Sequence, residues 1–201
     1  MTKTFWLRPA IILVSLALSA AALAQDKPAP AKPAAPAKPA AKPAAKPAKS
    51  EPTESAVLLG QFGEWGAYTA SPNGKKICFA LAKPTTAVTD PAGRKRDASY
   101  AFVSTRPAEK VKNEVSVIVG YPQKVGVDAS ATVGSASYVM YTQNDGAWVK
   151  NAAEEAQMVE AMRKGNDLVV KSISTHGTKT TDTYSLKGLN EALDKVAEEC
   201  K

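Results

Sequence analysis

His176 is the only histidine in the chain, so acid–base chemistry near neutral pH would centre on it. A hydrolase would pair it with an acid such as Asp182 and with a serine nucleophile, for which Ser104 and Ser174 are the candidates. No Gly-x-Ser-x-Gly elbow surrounds either serine, and His176 lies in a hairpin-like turn before Gly177. We therefore predict that the protein has no catalytic residues and is not an enzyme.

Metal and cofactor sites need ligand sets that this sequence does not supply. One histidine and two cysteines, Cys78 and Cys200, are too few nitrogen and sulfur ligands for a zinc site. The glycines at 63–66 lack the strand-then-helix setting of a phosphate-binding loop. The sequence accordingly predicts no metal and no cofactor.

Positive charge and one tryptophan mark a candidate contact surface. Arg94, Lys95 and Arg96 form a basic cluster in a Pro- and Gly-containing segment, residues 83–97, that reads as a loop. Trp148 follows the Asn-Asp-Gly turn at 144–146, whereas the other aromatic residues are expected in the core. We predict that these four residues contribute to a surface that contacts a partner.

The first 24 residues have the pattern of a secretory signal peptide. Lys3 and Arg8 precede an apolar run, and the segment ends in Ala22-Leu23-Ala24, which predicts cleavage before Gln25. The apolar run is too short to span a membrane. We predict export to the periplasm or to the outer membrane and cell surface, with no transmembrane helix in the mature form.

Residues 25–56 repeat Lys, Pro and Ala without large apolar side chains, which predicts a disordered, extended spacer. The chain carries 26 basic and 19 acidic residues, but from Val57 onward the numbers are 18 and 16. Most of the excess positive charge therefore lies in the leader and the spacer. An exported protein whose folded part is nearly neutral is a poor candidate for binding nucleic acid. The excess charge either keeps the spacer solvated or attracts it weakly to anionic envelope polymers or lipid headgroups.

Residues 57–201 contain the strand and helix patterns of one domain. Ile77–Ala82 is apolar on both faces and is joined to the preceding aromatic run by Asn73-Gly74, which predicts a tight hairpin with a central strand. Seven or eight strands are expected, with Val127–Gly134 as an ambiguous edge strand. Two helices are also predicted, one late in the chain and one at its C-terminal end. Together the elements predict a mainly β sandwich.

The first helix has start and end signals in the sequence. Asn151 and Glu154 predict the start of the first helix, Gly165 its end, and Ala152, Ala156, Val159 and Met162 its apolar stripe.

On the C-terminal helix Leu189, Leu193, Val196 and Cys200 share one face. In an oxidising compartment this predicts a Cys78–Cys200 disulfide, and two free thiols are the alternative.

Six segments of the domain resemble the invasion-associated locus B family of envelope proteins. They are FGEWGAYTA, KKICFALAKP, FVSTRP, NEVSVIVGYP, YTQNDGAWVKNAAEEAQMVEAMRKG and THGTKTTDTYSLKGLNEALDKVAEEC. One departure is His176, where relatives usually carry an arginine. The resemblance implies an exported protein with an immunoglobulin-like β-sandwich and a cysteine pair, and it supplies no active-site residues to assign to this chain.

Taken together, these features predict a non-enzymatic cell-envelope protein that acts as a binding module. Its expected partner is an envelope protein, an anionic envelope polymer or a host factor. An envelope hydrolase with an unrecognised site and a wall-associated spacer protein are the alternatives.

Overall fold

The computed structural model describes residues 55–201, so the predicted signal peptide and nearly all of the predicted spacer lie outside the described residues. Within this range the chain forms eleven strands and two α-helices. In order they are β1 (Val57–Phe62), β2 (Trp65–Ala70), β3 (Ile77–Ala82), β4 (Thr86–Asp90), β5 (Tyr100–Arg106), β6 (Val111–Ile118), β7 (Ala129–Val133), β8 (Ala136–Gln143), β9 (Gly146–Val149), α1 (Ala152–Lys164), β10 (Asp167–Ile173), β11 (Lys179–Ser185) and α2 (Leu189–Glu199). The predicted class, mainly β with one late and one C-terminal helix, is confirmed.

All eleven strands belong to one antiparallel sheet in the order β1-β2-β3-β5-β6-β9-β8-β7-β10-β11-β4. The predicted hairpin joins β2 to β3. Asn73 and Gly74 in its turn have φ angles of 52° and 75°, the left-handed backbone that this dipeptide readily adopts. Strand β3 is central as predicted, with Phe79 and Ala80 buried on its opposite faces.

The structure has eleven strands where the sequence predicts seven or eight, and β4 and β7 show two of the differences. Residues 83–97 were expected to form a loop, but they contain β4, which pairs with β11 at the edge of the sheet and leaves Val88 58 % exposed. An edge strand with one mostly exposed surface carries little hydrophobic pattern, so its pairing is invisible in the sequence. Strand β7 lies between β8 and β10 and is therefore central, not an edge strand.

The sheet curves so that strands near its two ends approach each other. The indole Nε1–H of Trp65 on β2 donates to the carbonyl oxygen of Ser185 on β11 at 2.9 Å. Beside it, the amide N–H of Glu64 donates to the carbonyl oxygen of Lys187 at 3.2 Å. One core cluster accordingly contains residues from nine strands, among them Trp65 and Leu168, together with both helices. This arrangement fits the predicted sandwich-like fold.

Helix α1 begins where the sequence predicts. The side chain of Asn151 accepts a hydrogen bond from the amide N–H of Glu154 at 2.9 Å, as an N-cap residue does. Its buried face differs from the predicted stripe, because Met158 is buried with Val159 and Met162, whereas Ala152 and Ala156 are exposed.

At Gly165, where α1 ends, glycine is favoured for a steric reason. Its φ is −86°, so the left-handed conformation is not what requires glycine. A β-carbon at this position would lie 2.4 Å from Val133 Cγ1, and the chain therefore passes too close to β7 for any side chain.

Helix α2 packs on β1, β2, β3 and β5 through the predicted face, on which Leu193 and Val196 are each 1 % exposed. At its end Cys200 is bonded to Cys78 of β3, with 122 residues of sequence separation and an S–S distance of 2.03 Å. The predicted disulfide is therefore present. Neither α-helix of the described range is long and apolar enough to cross a membrane.

Candidate functional site

Arg96 anchors the basic cluster to the interior of the sheet. Its guanidinium makes a bidentate ion pair with the carboxylate of Asp182 on β11, and Nη1 also donates to the carbonyl oxygen of Val119 at 2.9 Å. The side chain of Asp182 is 1 % exposed and that of Arg96 is 11 % exposed. Burial lowers the pKa of Arg96, but the hydrogen bonds and the charge of Asp182 outweigh burial, so the net pKa lies above its usual range.

Asp182 belongs to a buried polar network. The hydroxyl of Ser99 donates to Asp182 Oδ2 at 3.0 Å and lies 2.6 Å from the hydroxyl of Tyr184. Burial is the main reason that the pKa of the Tyr184 phenol is raised, so this phenol stays protonated. The carboxylate of Asp182 thus has guanidinium and hydroxyl partners inside the fold, as a buried charge requires.

A second contact fixes the segment that contains the basic cluster. The amide N–H of Asp97 donates to the carbonyl oxygen of Gly120 at 3.1 Å. Gly120 has a φ of 77°, and a β-carbon there would lie 2.2 Å from the carbonyl oxygen of Asp97. Only glycine allows the two backbones to approach this closely. The basic cluster is therefore fixed at Arg96 and at the residue that follows it.

The cluster opens on a cavity of about 380 Å³ that we call the basic cavity. It lies between the loop after β4 and the β10–β11 hairpin. Basic and hydroxyl side chains supply most of its lining. The lining residues are Thr89, Arg94, Lys95, Arg96, Tyr121, Ser174, His176, Thr178 and Thr180.

The hydroxyl groups of the basic cavity are held in place by the protein. Ser174 Oγ accepts the amide N–H of Thr178 at 3.1 Å, and Thr89 Oγ1 accepts the amide N–H of Arg94 at 3.2 Å. Deeper in the cavity, the hydroxyls of Tyr121 and Thr180 lie 2.5 Å apart. The Tyr121 ring also lies 5.9 Å from the guanidinium carbon of Arg96. The walls are thus built from residues of four separate segments.

The groups considered for a hydrolase do not form a triad. Asp182 binds Arg96 and Ser99, and no hydrogen bond among the described residues joins it to His176. Ser174 lines the same cavity as the histidine, but its hydroxyl binds a backbone amide.

Ser104, the other candidate nucleophile, is on the far side of the sheet. It pairs with Phe79 of β3, whose side chain packs with Leu81 and Tyr100 in a cluster separate from the main core, whereas Asp182 is bonded to Arg96 and Ser99.

The structure divides the predicted contact surface. Arg94, Lys95 and Arg96 lie together in the basic cavity, but Trp148 is not among the residues that line it. Trp148 stands on β9 opposite Ser116 and stacks on Tyr141, with ring centroids 5.6 Å apart.

Several cavity residues were missed by sequence reasoning, namely Thr89, Tyr121, Thr178 and Thr180. A signal existed on β11, where Thr180, Asp182 and Tyr184 alternate and are all buried. Three polar residues on the inward face of a strand indicate a hydrogen-bonded interior. Tyr121 offered no such signal because it follows the end of its strand.

Comparison with known proteins identifies the domain. The family described as "Invasion associated locus B (IalB) protein" matches residues 65–197, about two thirds of the chain. The chain belongs to this family. The family is envelope-associated, and the match includes all the residues that line the basic cavity. Cys200 lies beyond the matched residues. No curated protein and no solved structure matches this chain.

Within the described part of this family member, no group of three or more His, Cys, Asp or Glu side chains is arranged to hold a metal ion. The basic cavity presents cationic and hydroxyl side chains. Such a set binds anions through charge and hydrogen bonds.

Proposed function

We propose that this protein is an exported, non-enzymatic binding module of the cell envelope, and that the basic cavity is its ligand site. The observation that carries this proposal is the anchoring of Arg96 by Asp182. A buried ion pair fixes the loop, while Arg94 and Lys95 remain exposed at the mouth of the cavity. Neither of these two side chains is a partner in the ion pairs found among the described residues.

Membership of an envelope-associated family supports the location. The disulfide between Cys78 and Cys200 supports export as well, since such bonds persist in oxidising compartments. The Lys- and Pro-rich segment at 25–56 would act as a spacer between the domain and a membrane or wall. The expected partner is an envelope protein or an anionic envelope polymer, and a host factor is a further candidate.

The absence of an enzymatic role is proposed from the positions of two groups. Asp182 is occupied by Arg96, and His176 is exposed on a turn. General-base catalysis requires a histidine that is oriented by its acid and within reach of a nucleophile. A hydrolase of this kind would lose turnover in a His176→Ala variant. We expect no difference in turnover between this variant and the parent protein.

A pull-down from envelope extract tests the proposal. The mature protein, a form without residues 26–55, and an Arg94→Glu/Lys95→Glu variant serve as baits. A matched control, Lys112→Glu/Lys187→Glu, reverses two exposed charges outside the cavity. We expect the first two baits and the control to retain a specific partner at high salt, and the cavity variant to lose it.

Two results would contradict the proposal. Retention by the cavity variant would show that the partner binds elsewhere. Co-sedimentation with peptidoglycan that depends only on residues 26–55 would favour the wall-associated spacer protein. High salt separates a partner held by the domain from attraction to the spacer, because attraction by the spacer alone is lost when exposed charges are screened.

A further inference from the structure

The side chains that line the basic cavity supply positive charge and hydrogen-bond donors. Arg94 and Lys95 have exposed head groups, and His176 stands on the opposite hairpin. No Asp or Glu side chain is among the described residues of the lining. The nearest carboxylate in the network, that of Asp182, is already bound by Arg96. A ligand that enters this cavity therefore meets a described lining that has cationic side chains and no carboxylate.

The hydroxyls add a directional preference. Ser174 and Thr89 each accept a backbone N–H, which leaves their own protons for a further acceptor. Between Tyr121 and Thr180 one hydroxyl donates to the other, so one proton of that pair is also left over. A cavity with several donors from different directions suits a group with several acceptor oxygens.

Phosphate esters fit this description better than carboxylates. A phosphate monoester has three terminal oxygens and close to two negative charges at neutral pH, whereas a carboxylate has two oxygens and one charge. Arginine binds phosphate through paired, charge-assisted hydrogen bonds. The cavity of about 380 Å³ also has room for a small group attached to the phosphate.

We propose that the basic cavity binds a phosphate monoester carried on a group of about the size of one sugar ring. This inference rests on the proposed function and specifies the ligand of the same site. Arg94 and Lys95 bind the phosphate oxygens, the hydroxyls of Ser174 and Thr89 donate to them, and Arg96 holds the loop in place through Asp182. The ester is the headgroup of an envelope lipid or a soluble sugar phosphate, and the chemistry recognised is the same.

Calorimetric titration of the mature protein at fixed ionic strength tests the ligand. The probes are glucose 6-phosphate, glucose and glucuronate, which share the sugar ring and differ in the anionic group. We expect glucose 6-phosphate to bind at least about tenfold more tightly than glucuronate, because a charge-assisted hydrogen bond contributes about one factor of ten in affinity. Glucose should not bind measurably.

Variants locate the binding. Arg94→Ala/Lys95→Ala should weaken the binding of glucose 6-phosphate by at least about tenfold, while Lys112→Glu/Lys187→Glu should leave it unchanged. Amide chemical shifts of Thr178, Thr180 and Gly177 should move on titration with glucose 6-phosphate in the parent protein. Equal affinity for glucuronate, or binding that survives in the cavity variant, would overturn the proposal.

Vesicles distinguish the two sources of the ester. Phosphatidylcholine vesicles that contain phosphatidic acid present a monoester, and those that contain phosphatidylglycerol present a diester. Cavity-dependent binding to the first and not to the second indicates a lipid headgroup. Binding of glucose 6-phosphate without vesicle binding indicates a soluble ester. Failure of both probes overturns the proposal.

The proposed function and this inference fail in different ways. If the cavity variant loses an envelope partner that glucose 6-phosphate does not displace, the binding module stands and the phosphate ligand is wrong. If glucose 6-phosphate binds in the cavity but no envelope partner is retained, the ligand chemistry stands and the proposed envelope role is wrong.

Discussion

Arg96 and Asp182, 86 residues apart in sequence, form the ion pair that ties the basic cluster to the interior of the fold. One member comes from an irregular segment and the other from the inward face of β11. The pair is surrounded by Ser99, Tyr184 and the ring of Tyr121. The same contact therefore stabilises the domain and positions the cavity that we propose as the ligand site.

Replacing Asp182 by Asn should strongly destabilise the domain. The change leaves the guanidinium of Arg96 largely buried without its carboxylate, and breaking a buried pair in this way costs about 3–5 kcal/mol. Urea denaturation of the Asp182→Asn and Arg96→Met variants and of the double variant measures the coupling. We expect the double variant to lose clearly less stability than the sum of the single losses, and strict additivity would show that the pair does not act as a unit.

Removing the disulfide should lower the free energy of unfolding by about 2–5 kcal/mol. The bond joins Cys78, which is fully buried on β3, to the end of α2 across 122 residues, so it restricts the unfolded chain strongly. A Cys78→Ser/Cys200→Ser variant and the reduced parent protein should show the same loss in urea denaturation. An unfolding free energy that does not change on reduction would contradict this account.

Replacing Gly120 by Ala should cost more stability than replacing Gly126 by Ala. Both residues have φ near 75°, so both changes carry the left-handed backbone penalty of about 1 kcal/mol. Only at Gly120 would the new β-carbon meet another backbone, at 2.2 Å, and forced contacts of this kind add about 1–3 kcal/mol. Thermal unfolding of the two variants gives the comparison. Equal losses would mean that the segment at Asp97 moves away freely.

The carboxylate of Glu155 should make stability fall as the pH rises. Burial raises the pKa of Glu155 above its usual value, although the amide N–H of Val115, which donates to Glu155 Oε1 at 2.7 Å, opposes the shift. The folded state therefore binds this proton more tightly than the unfolded state does. The contribution of Glu155 to stability is most favourable below its ordinary pKa and declines as the pH passes its raised pKa.

A Glu155→Gln variant keeps an acceptor for Val115 but removes the charge. Relative to the parent protein, we expect it to gain stability as the pH rises above the ordinary pKa of a glutamate, and to keep that gain at higher pH, as measured by urea denaturation. Glu160→Gln, a change on the exposed face of α1, controls for the loss of one negative charge. A Glu155→Gln variant that loses stability over the same pH interval would reverse the assigned sign.

Sequence patterns predicted the parts of the fold that depend on local rules. Asn73-Gly74 specified a hairpin, Asn151 specified the start of a helix, and the spacing of Leu193 and Val196 specified the buried face of α2. Each of these signals arises within a few residues, because backbone conformation and periodicity are local properties. Strand β4 escaped prediction because its partner lies far along the chain and its outer surface is exposed.

Residue patterns alone were enough to establish the family, the mainly β class, the pairing of the two cysteines and the basic character of Arg94–Arg96. The assembled fold was needed to show that this cluster faces His176 and Thr180 across a cavity, while Trp148 stacks on Tyr141 elsewhere. This is because a cavity is formed where separate segments meet. Its lining depends on strand order and on contacts such as that of Arg96 with Asp182, which no local pattern encodes.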